Sequence, residues 1–180
     1  SAVDRYAGYS GCYETASYIY SYLKSLGLKT WIQNYTAIVP YDNNSTLVVV
    51  EPRREVFRVY VFAPNLVYTC RGKIRGELAY LNRSFLEVTH IGDIKGKIIL
   101  VDLDCGYDWI YLKFLGVKAI VFIEKEVSSE EWLSKVVCAP LKVPRVLIKE
   151  SDAERLLSLL KEGRVTVELF LNMKWREVVL

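Results

Sequence analysis

Cys105 is the residue of this sequence best placed to act as a nucleophile. It stands between an apolar run with the composition of a buried strand, Lys97–Leu103, and a helical pattern over Tyr107–Leu115. A thiol at the first turn of a helix has its thiolate stabilised by the helix amides. Asp104 and Asp108 oppose this, because their negative charges destabilise a thiolate. A disulfide-bonded or inert buried cysteine is therefore the favoured interpretation, and a thiol enzyme the lesser one.

His90 is the only histidine, so a Ser-His or Cys-His catalytic pair would have to use it as the base. The residues around it, Thr89–Asp93, have the composition of a turn that leads into a strand. We therefore expect a histidine in a surface loop rather than a catalytic one.

Metal ligands are few. Asp102, Asp104 and Asp108 come closest to a calcium-binding set, but they lack the regular alternation of an oxygen-ligand loop. The glutamates of the segment 124–131 have the pattern of solvated helix and loop charge. The four cysteines are far apart and form no CxxC pair, which disfavours a zinc knuckle. We therefore predict no metal site in this chain.

The segment Gly92–Ile123 has the pattern of a βαβ unit, with Gly116 at the end of the helix and a second apolar strand over Val117–Ile123. In such units a phosphate can bind at the start of the helix. Here the connecting turn holds one glycine and two aspartates, and negative charge at that position repels a phosphate. A dinucleotide site is therefore disfavoured, and the unit is expected to be scaffold.

Composition narrows the class of protein further. The 180 residues are 52% hydrophobic and carry a net charge of +3, with basic and acidic residues interleaved. No apolar run is long enough to span a bilayer, and nucleic acid is not the expected partner. The beginning of the sequence has no hydrophobic signal core, so we expect any export signal to have been removed or to lie upstream.

Two features indicate an exported protein. Four cysteines allow two disulfides in three connectivities, and four Asn-x-Ser/Thr sequons are candidate glycosylation sites, at Asn34, Asn43, Asn44 and Asn82. Many tyrosines and long Lys/Glu helices also suit a heat-adapted organism, in which intracellular proteins can be rich in disulfides.

The remaining patterns predict further helices and strands. Helices are expected from Ser10 or Gly11 to Leu26, over Ser128–Val136 with Ser128 as cap, and from a Ser151 cap to Gly163. Strands are expected at Leu28–Val39, Thr46–Val50, Val56–Phe62, Glu77–Leu81, Val143–Lys149 and Arg164–Leu171, and a basic loop at Arg71–Arg75.

The order of these fragments resembles the protease-associated domain. The resemblance rests on Gly92–Val101, Cys105-Gly-Tyr107, Gly116–Phe122 and Val143–Ile148, followed by a helix over Ser151–Lys161. It covers roughly residues 46–171 and implies an α/β (α+β) fold with a mixed β-sheet, an open barrel-like core, flanking helices and one βαβ unit. It also implies a disulfide between Cys105 and Cys138, which leaves Cys12 to pair with Cys70.

The N-terminal segment is similar to the start of di-zinc exopeptidases of the aminopeptidase and carboxypeptidase-II-like family. The similarity lies in Asp4–Gly8, Tyr9-Ser-Gly11 and the helix up to Leu28. It implies three parts: an exopeptidase-like segment 1–45, a protease-associated domain 46–172, and a return at 173–180 into a catalytic domain. His90-Ile-Gly-Asp93 has one residue too many for the zinc motif of that family, so the resemblance assigns no zinc ligand here.

The resemblance therefore implies a non-catalytic domain of an extracellular or cell-surface zinc peptidase. Its partners would be the adjacent peptidase domain and peptide or protein substrates, with no cofactor in this chain and zinc only in the catalytic domain. The alternatives are a stand-alone module that binds protein or peptide and, less favoured, a thiol enzyme that uses Cys105.

Overall fold

The structure is a computed structural model that describes residues 8, 10–61, 71–82, 94–136 and 141–180. In these residues it contains four helices and eight strands, in the order α1 (Ser10–Ser25), β1 (Thr36–Asp42), β2 (Thr46–Glu51), β3 (Glu55–Val61), β4 (Arg71–Leu81), β5 (Ile98–Asp102), α2 (Trp109–Phe114), β6 (Ala119–Glu124), α3 (Ser129–Leu133), β7 (Arg145–Lys149), α4 (Glu150–Glu162) and β8 (Thr166–Val179). The chain divides into two compact units, Asp42–Met173 and a smaller one of Ser1–Tyr41 with Lys174–Leu180.

The larger unit is a closed β-barrel. Strands β4, β5, β6 and β7 pair in parallel, and β7, β3, β2 and β8 continue the sheet in antiparallel pairs. The first half of β4 then pairs with β8, from Arg71 opposite Asn172 to Glu77 opposite Thr166, and this pairing closes the ring. The structure thus confirms the predicted α/β class with a mixed sheet.

Strands β5 and β6 are buried on both faces, as expected for parallel strands covered on each side. Ile98 and Leu100 belong to a core that also contains Leu156 of α4, whereas Ile99 and Val101 belong to a second core. This burial explains why both strands are continuous apolar runs in the sequence. The second core is completed by helix α2, so the predicted βαβ unit is present with its helix on that face.

Helix ends follow the local chemistry at most positions. The Ser128 hydroxyl accepts a hydrogen bond from the Glu131 amide at 3.2 Å, as the predicted N-cap requires. Gly116 has a φ of +79°, a left-handed conformation that favours glycine after α2. Helix α4 begins at Glu150 with Lys149 as its N-cap, so the prediction of Ser151 as the cap was wrong by two residues.

Three other element predictions were wrong. Arg71–Arg75 is the first half of β4 rather than a loop, because β8 supplies a partner for its backbone. The strand predicted over Leu28–Val39 is limited to β1, which begins at Thr36. Strand β8 continues past Asn172 as one strand of 14 residues.

The smaller unit contains α1, β1 and the last residues of β8. The backbones of Tyr35 and Leu180 exchange two hydrogen bonds, at 2.9 and 2.8 Å, and the Tyr13 hydroxyl donates to the Val179 carbonyl at 2.6 Å. Of the residues of α1, only Gly11 is buried. In the part of the chain that the structure describes, no helix is long and apolar enough to cross a membrane.

Candidate functional site

The turn between β5 and α2 holds the sequence-predicted nucleophile, and helix α3 packs beside it. Cys105 belongs to the second core and is only 4% exposed. The pKa of its thiol is raised to about 11: burial is the main cause, Lys135 acts in the opposite direction, and the Glu131 carboxylate contributes to the rise. Because a nucleophilic cysteine needs a stabilised and accessible thiolate, this environment is that of an inert residue.

A buried ion pair holds this turn in place. The Lys135 side chain has no exposed surface, and its ammonium is paired with the Glu131 carboxylate. The same ammonium donates to the Gly106 carbonyl at 2.8 Å and to the Ser134 hydroxyl at 2.7 Å, so all three of its protons have acceptors. The Glu131 carboxylate also accepts the Gly106 amide hydrogen at 2.7 Å. Both backbone groups of Gly106 are thus fixed by one ion pair.

Burial by itself would raise the pKa of Glu131. Hydrogen bonds from Lys135, the Gly106 amide and Ser134 outweigh that effect, so the pKa of Glu131 is lowered overall. The sequence pattern placed Glu131 among solvated charges, and this interpretation was wrong because the carboxylate turns inward toward Gly106.

A second buried cation extends the network toward β7. Arg145 is almost fully buried, donates to the Lys135 carbonyl at 2.8 Å and lies over the Trp109 ring at 4.5 Å from its centroid. The Trp109 indole N–H donates to the Ser134 carbonyl at 3.1 Å. The end of α3 is therefore anchored by side chains from α2 and β7. This network of buried hydrogen bonds stabilises the fold and does not have the character of a reaction centre.

Asp102, Asp104 and Asp108, the residues of the sequence that come closest to a calcium-binding set, form no group that could hold a metal ion. Asp102 accepts a hydrogen bond from the Tyr80 hydroxyl at 2.9 Å and pairs with the Lys125 ammonium at 3.0 Å. A calcium ion would have to displace these two partners. Burial, followed by the hydrogen bond to Asp102, raises the pKa of Tyr80 to about 12. Among the described residues, no group of three His, Cys, Asp or Glu side chains could hold a metal ion, so these residues do not fit a zinc site.

The cysteines and the histidine are only partly covered by the structure. Cys12 and Cys105 are free thiols, so neither forms the disulfide that the resemblance implies. Cys105 is instead buried in the second core, among apolar side chains. Their expected partners Cys70 and Cys138, as well as His90, lie outside the described residues.

The glycosylation sites stay predictions. Asn34, Asn44 and Asn82 are exposed, whereas Asn43 is half-buried. The backbone of Asn43 is held by Asn172, which accepts its amide hydrogen at 3.0 Å.

Comparisons with known proteins identify the fold. Three solved structures match nearly the whole chain: a peptidase M28 precursor from Shewanella amazonensis (15% identity, TM-score 0.64, 99% of this chain and 46% of that one), an aminopeptidase from Aneurinibacillus sp. (16%, 0.55, 98% and 42%) and a zinc aminopeptidase from Bacillus subtilis (16%, 0.57, 96% and 41%). At such identities the likeness shows a common fold. This chain spans less than half the length of each of these proteins.

No protein-family model matches the sequence, and no curated protein matches it either. The resemblance to the protease-associated domain therefore rests on the residues quoted above.

Proposed function

We propose that this chain is the non-catalytic, protease-associated part of an exported zinc exopeptidase. The observation that carries the proposal is the match of 96–99% of the chain, in both of its units, to slightly less than half of three peptidases. In this proposal the zinc ligands and the catalytic residues are supplied by another part of the protein.

The physical role would be to shape access to the neighbouring active site. A closed barrel with two packed cores is a rigid support, and rigid supports present loops in fixed positions for recognition. The barrel would therefore limit which peptides reach the catalytic zinc, and its loops would contact the part of the substrate away from the cleaved bond.

The chain itself gives the first test. We expect the purified 180-residue protein, supplied with zinc, not to hydrolyse aminoacyl p-nitroanilides. Zinc-dependent hydrolysis that a chelator abolishes, and that the Cys105→Ser variant retains, would show that the chain is itself catalytic and would contradict the proposal.

The second test addresses the rest of the protein. An antibody raised against this chain should detect, in the organism that makes it, a protein of at least about twice the 20.7 kDa of this chain, since the matched peptidases are more than twice as long. The immunoprecipitate should hydrolyse aminoacyl substrates. A species of about the size of this chain, without such activity, would favour the stand-alone binding module.

A further inference from the structure

The barrel surface along the first half of β4 and the facing part of β8 concentrates positive charge. This basic surface consists of two ion-pair groups, Lys73 and Arg75 around Glu168 and Lys97 and Arg164 around Glu77. It also includes Lys118, whose ammonium donates to the Arg75 carbonyl. Its net charge is +3, the same as that of the whole chain, so all other charges of the chain cancel. The surface thus carries more positive than negative side chains.

Each carboxylate of the basic surface lies between a lysine and an arginine, with the lysine closer. Glu168 is 2.9 Å from the Lys73 ammonium and 3.6 Å from the Arg75 guanidinium. Glu77 has the same arrangement, at 2.8 Å from Lys97 and 3.4 Å from Arg164. The hydrogen bond from Lys97 is the main cause that lowers the pKa of Glu77.

The two arginines are therefore only weakly engaged. The distance from each guanidinium to its carboxylate exceeds the usual range of a hydrogen bond. The Arg75 side chain is 55% exposed and the Arg164 side chain 79%. A guanidinium has five N–H donors in a planar fork that matches a carboxylate. Because both side chains are more than half exposed, each arginine can bind a further carboxylate side by side.

We propose that the basic surface binds an acidic polypeptide segment through Arg75 and Arg164. The carboxylates of Glu77 and Glu168 already lie between its cations, so the spacing of these cations suits a carboxylate. A net charge of three is small for nucleic acid, because such binding commonly neutralises about 6–10 phosphates. Phe170 lies beneath Lys73 and is 39% exposed, which provides an apolar contact beside the charges.

The strand register sets the spacing of the acidic groups. Arg75 faces Glu168, Glu77 faces Thr166, and Arg164 lies two residues before Thr166. Arg164 precedes the first residue of β8, and its guanidinium reaches Glu77, which is two residues from Arg75 on β4. A bound segment in extended conformation should therefore carry acidic residues at alternate positions, which face the same side of a strand.

Fluorescence anisotropy tests the proposal with a fluorescein-labelled peptide in which Glu alternates with Ser. We expect binding by the 180-residue chain at an ionic strength of about 0.05 M, and a large loss of affinity at about 0.3 M. The double variant R75Q/R164Q should bind about tenfold more weakly, because it removes both arginine forks. The same peptide with Gln in place of Glu should not bind.

The matched control is K142Q/K149Q, which removes two exposed charges from the chain segment around β7 and should bind the peptide like the parent. Circular dichroism should show that both double variants are folded. Equal binding by R75Q/R164Q and the parent, or equal weakening in the control, overturns the proposal. Binding to phosphatidylserine vesicles or single-stranded DNA that requires the two arginines, with no binding of the peptide, overturns it as well.

Discussion

The charged side chain of Lys135 has no exposed surface. Lys135 and its ion-pair partner Glu131 both form hydrogen bonds with the backbone of the turn after β5. Such a charge is tolerated only when its protons all have acceptors, and the Gly106 carbonyl, the Ser134 hydroxyl and the Glu131 carboxylate provide them. The loss of any one of these acceptors should therefore cost more than an average surface hydrogen bond.

The Glu131→Gln variant tests this at neutral pH. We expect it to lower the free energy of unfolding by about 2–3 kcal/mol at about pH 7, because a hydrogen-bonded charge is removed while Lys135 stays buried. Urea titrations measure the change. The control is Glu130→Gln, an exposed neighbour on the same helix, which should change stability by less than about 0.5 kcal/mol.

The same variant should also change the response to acid. The pKa of Glu131 is lowered in the folded chain, so its stabilising effect is present above the pH range in which a free glutamate titrates. That effect is lost as the pH falls through the lowered pKa. The difference in stability between parent and Glu131→Gln should therefore shrink in acid. A difference that stays constant as the pH is lowered would contradict the role of the charge.

Cys105 should be unreactive in the native chain. Its thiol is buried and its pKa is raised to about 11, so almost no thiolate is present at neutral pH. Peptide mapping by mass spectrometry after brief iodoacetamide treatment should find Cys105 unmodified in the folded protein and modified in urea. Rapid alkylation of this one residue under native conditions would restore the thiol-enzyme hypothesis.

The sequence disfavoured a reactive Cys105, leaving a disulfide-bonded or an inert cysteine, but it missed the buried ion pair beside this residue. The carboxylates beside Cys105 were enough to disfavour a thiolate, since that argument uses only chain neighbours. Lys135 and Arg145 find their partners across the fold, at the Gly106 carbonyl and the Trp109 ring, and no local pattern encodes such pairs. The signal available for the ion pair was the spacing of four residues between Glu131 and Lys135, which brings two side chains together on a helix.

At the scale of the elements, helix α3 is short and depends on its cap. A helix of five residues gains little from its own hydrogen bonds, so the side chain that satisfies its first amides has a large share in its stability. Ser128→Ala should lower the free energy of unfolding by about 1 kcal/mol. Ser129→Ala, one residue further and exposed, is the control in the same thermal or urea titration and should be close to neutral.

If Ser128→Ala and Ser129→Ala lose stability equally, the cap is not what holds α3. In that case the ion pair of Lys135 would fix the helix without help from its N-terminus.

The strands show which elements a sequence pattern can reveal. Strands β5 and β6 were predicted to within one or two residues, because burial on both faces leaves a continuous apolar run. The start of β4 was interpreted as a loop, because Arg71, Lys73 and Arg75 are basic and Gly72 lies among them. Its strand conformation depends on pairing with β8, which lies about a hundred residues further along the chain, and local propensity does not record such a partner.

At the scale of the whole molecule, the two units differ in how much they bury. The barrel has two apolar cores, whereas α1 buries only Gly11 and leaves Tyr18, Ile19 and Tyr22 at least half exposed. Helical stability in proteins comes mainly from packing of one face. In the isolated 180-residue chain, α1 should therefore open at a lower free energy than the barrel.

Hydrogen exchange followed by mass spectrometry measures this difference directly. Peptides from α1 should take up deuterium much faster than peptides from β5 and β6. Helix α4 is the internal control, since it is also a helix but buries Ala153, Leu156 and Leu159, and it should be protected. If α1 is protected as strongly as α4, its apolar face is covered in solution. A dilution series then identifies a second copy as the cover if the protection falls with concentration, and protection that does not change would show that the helix is stable by itself.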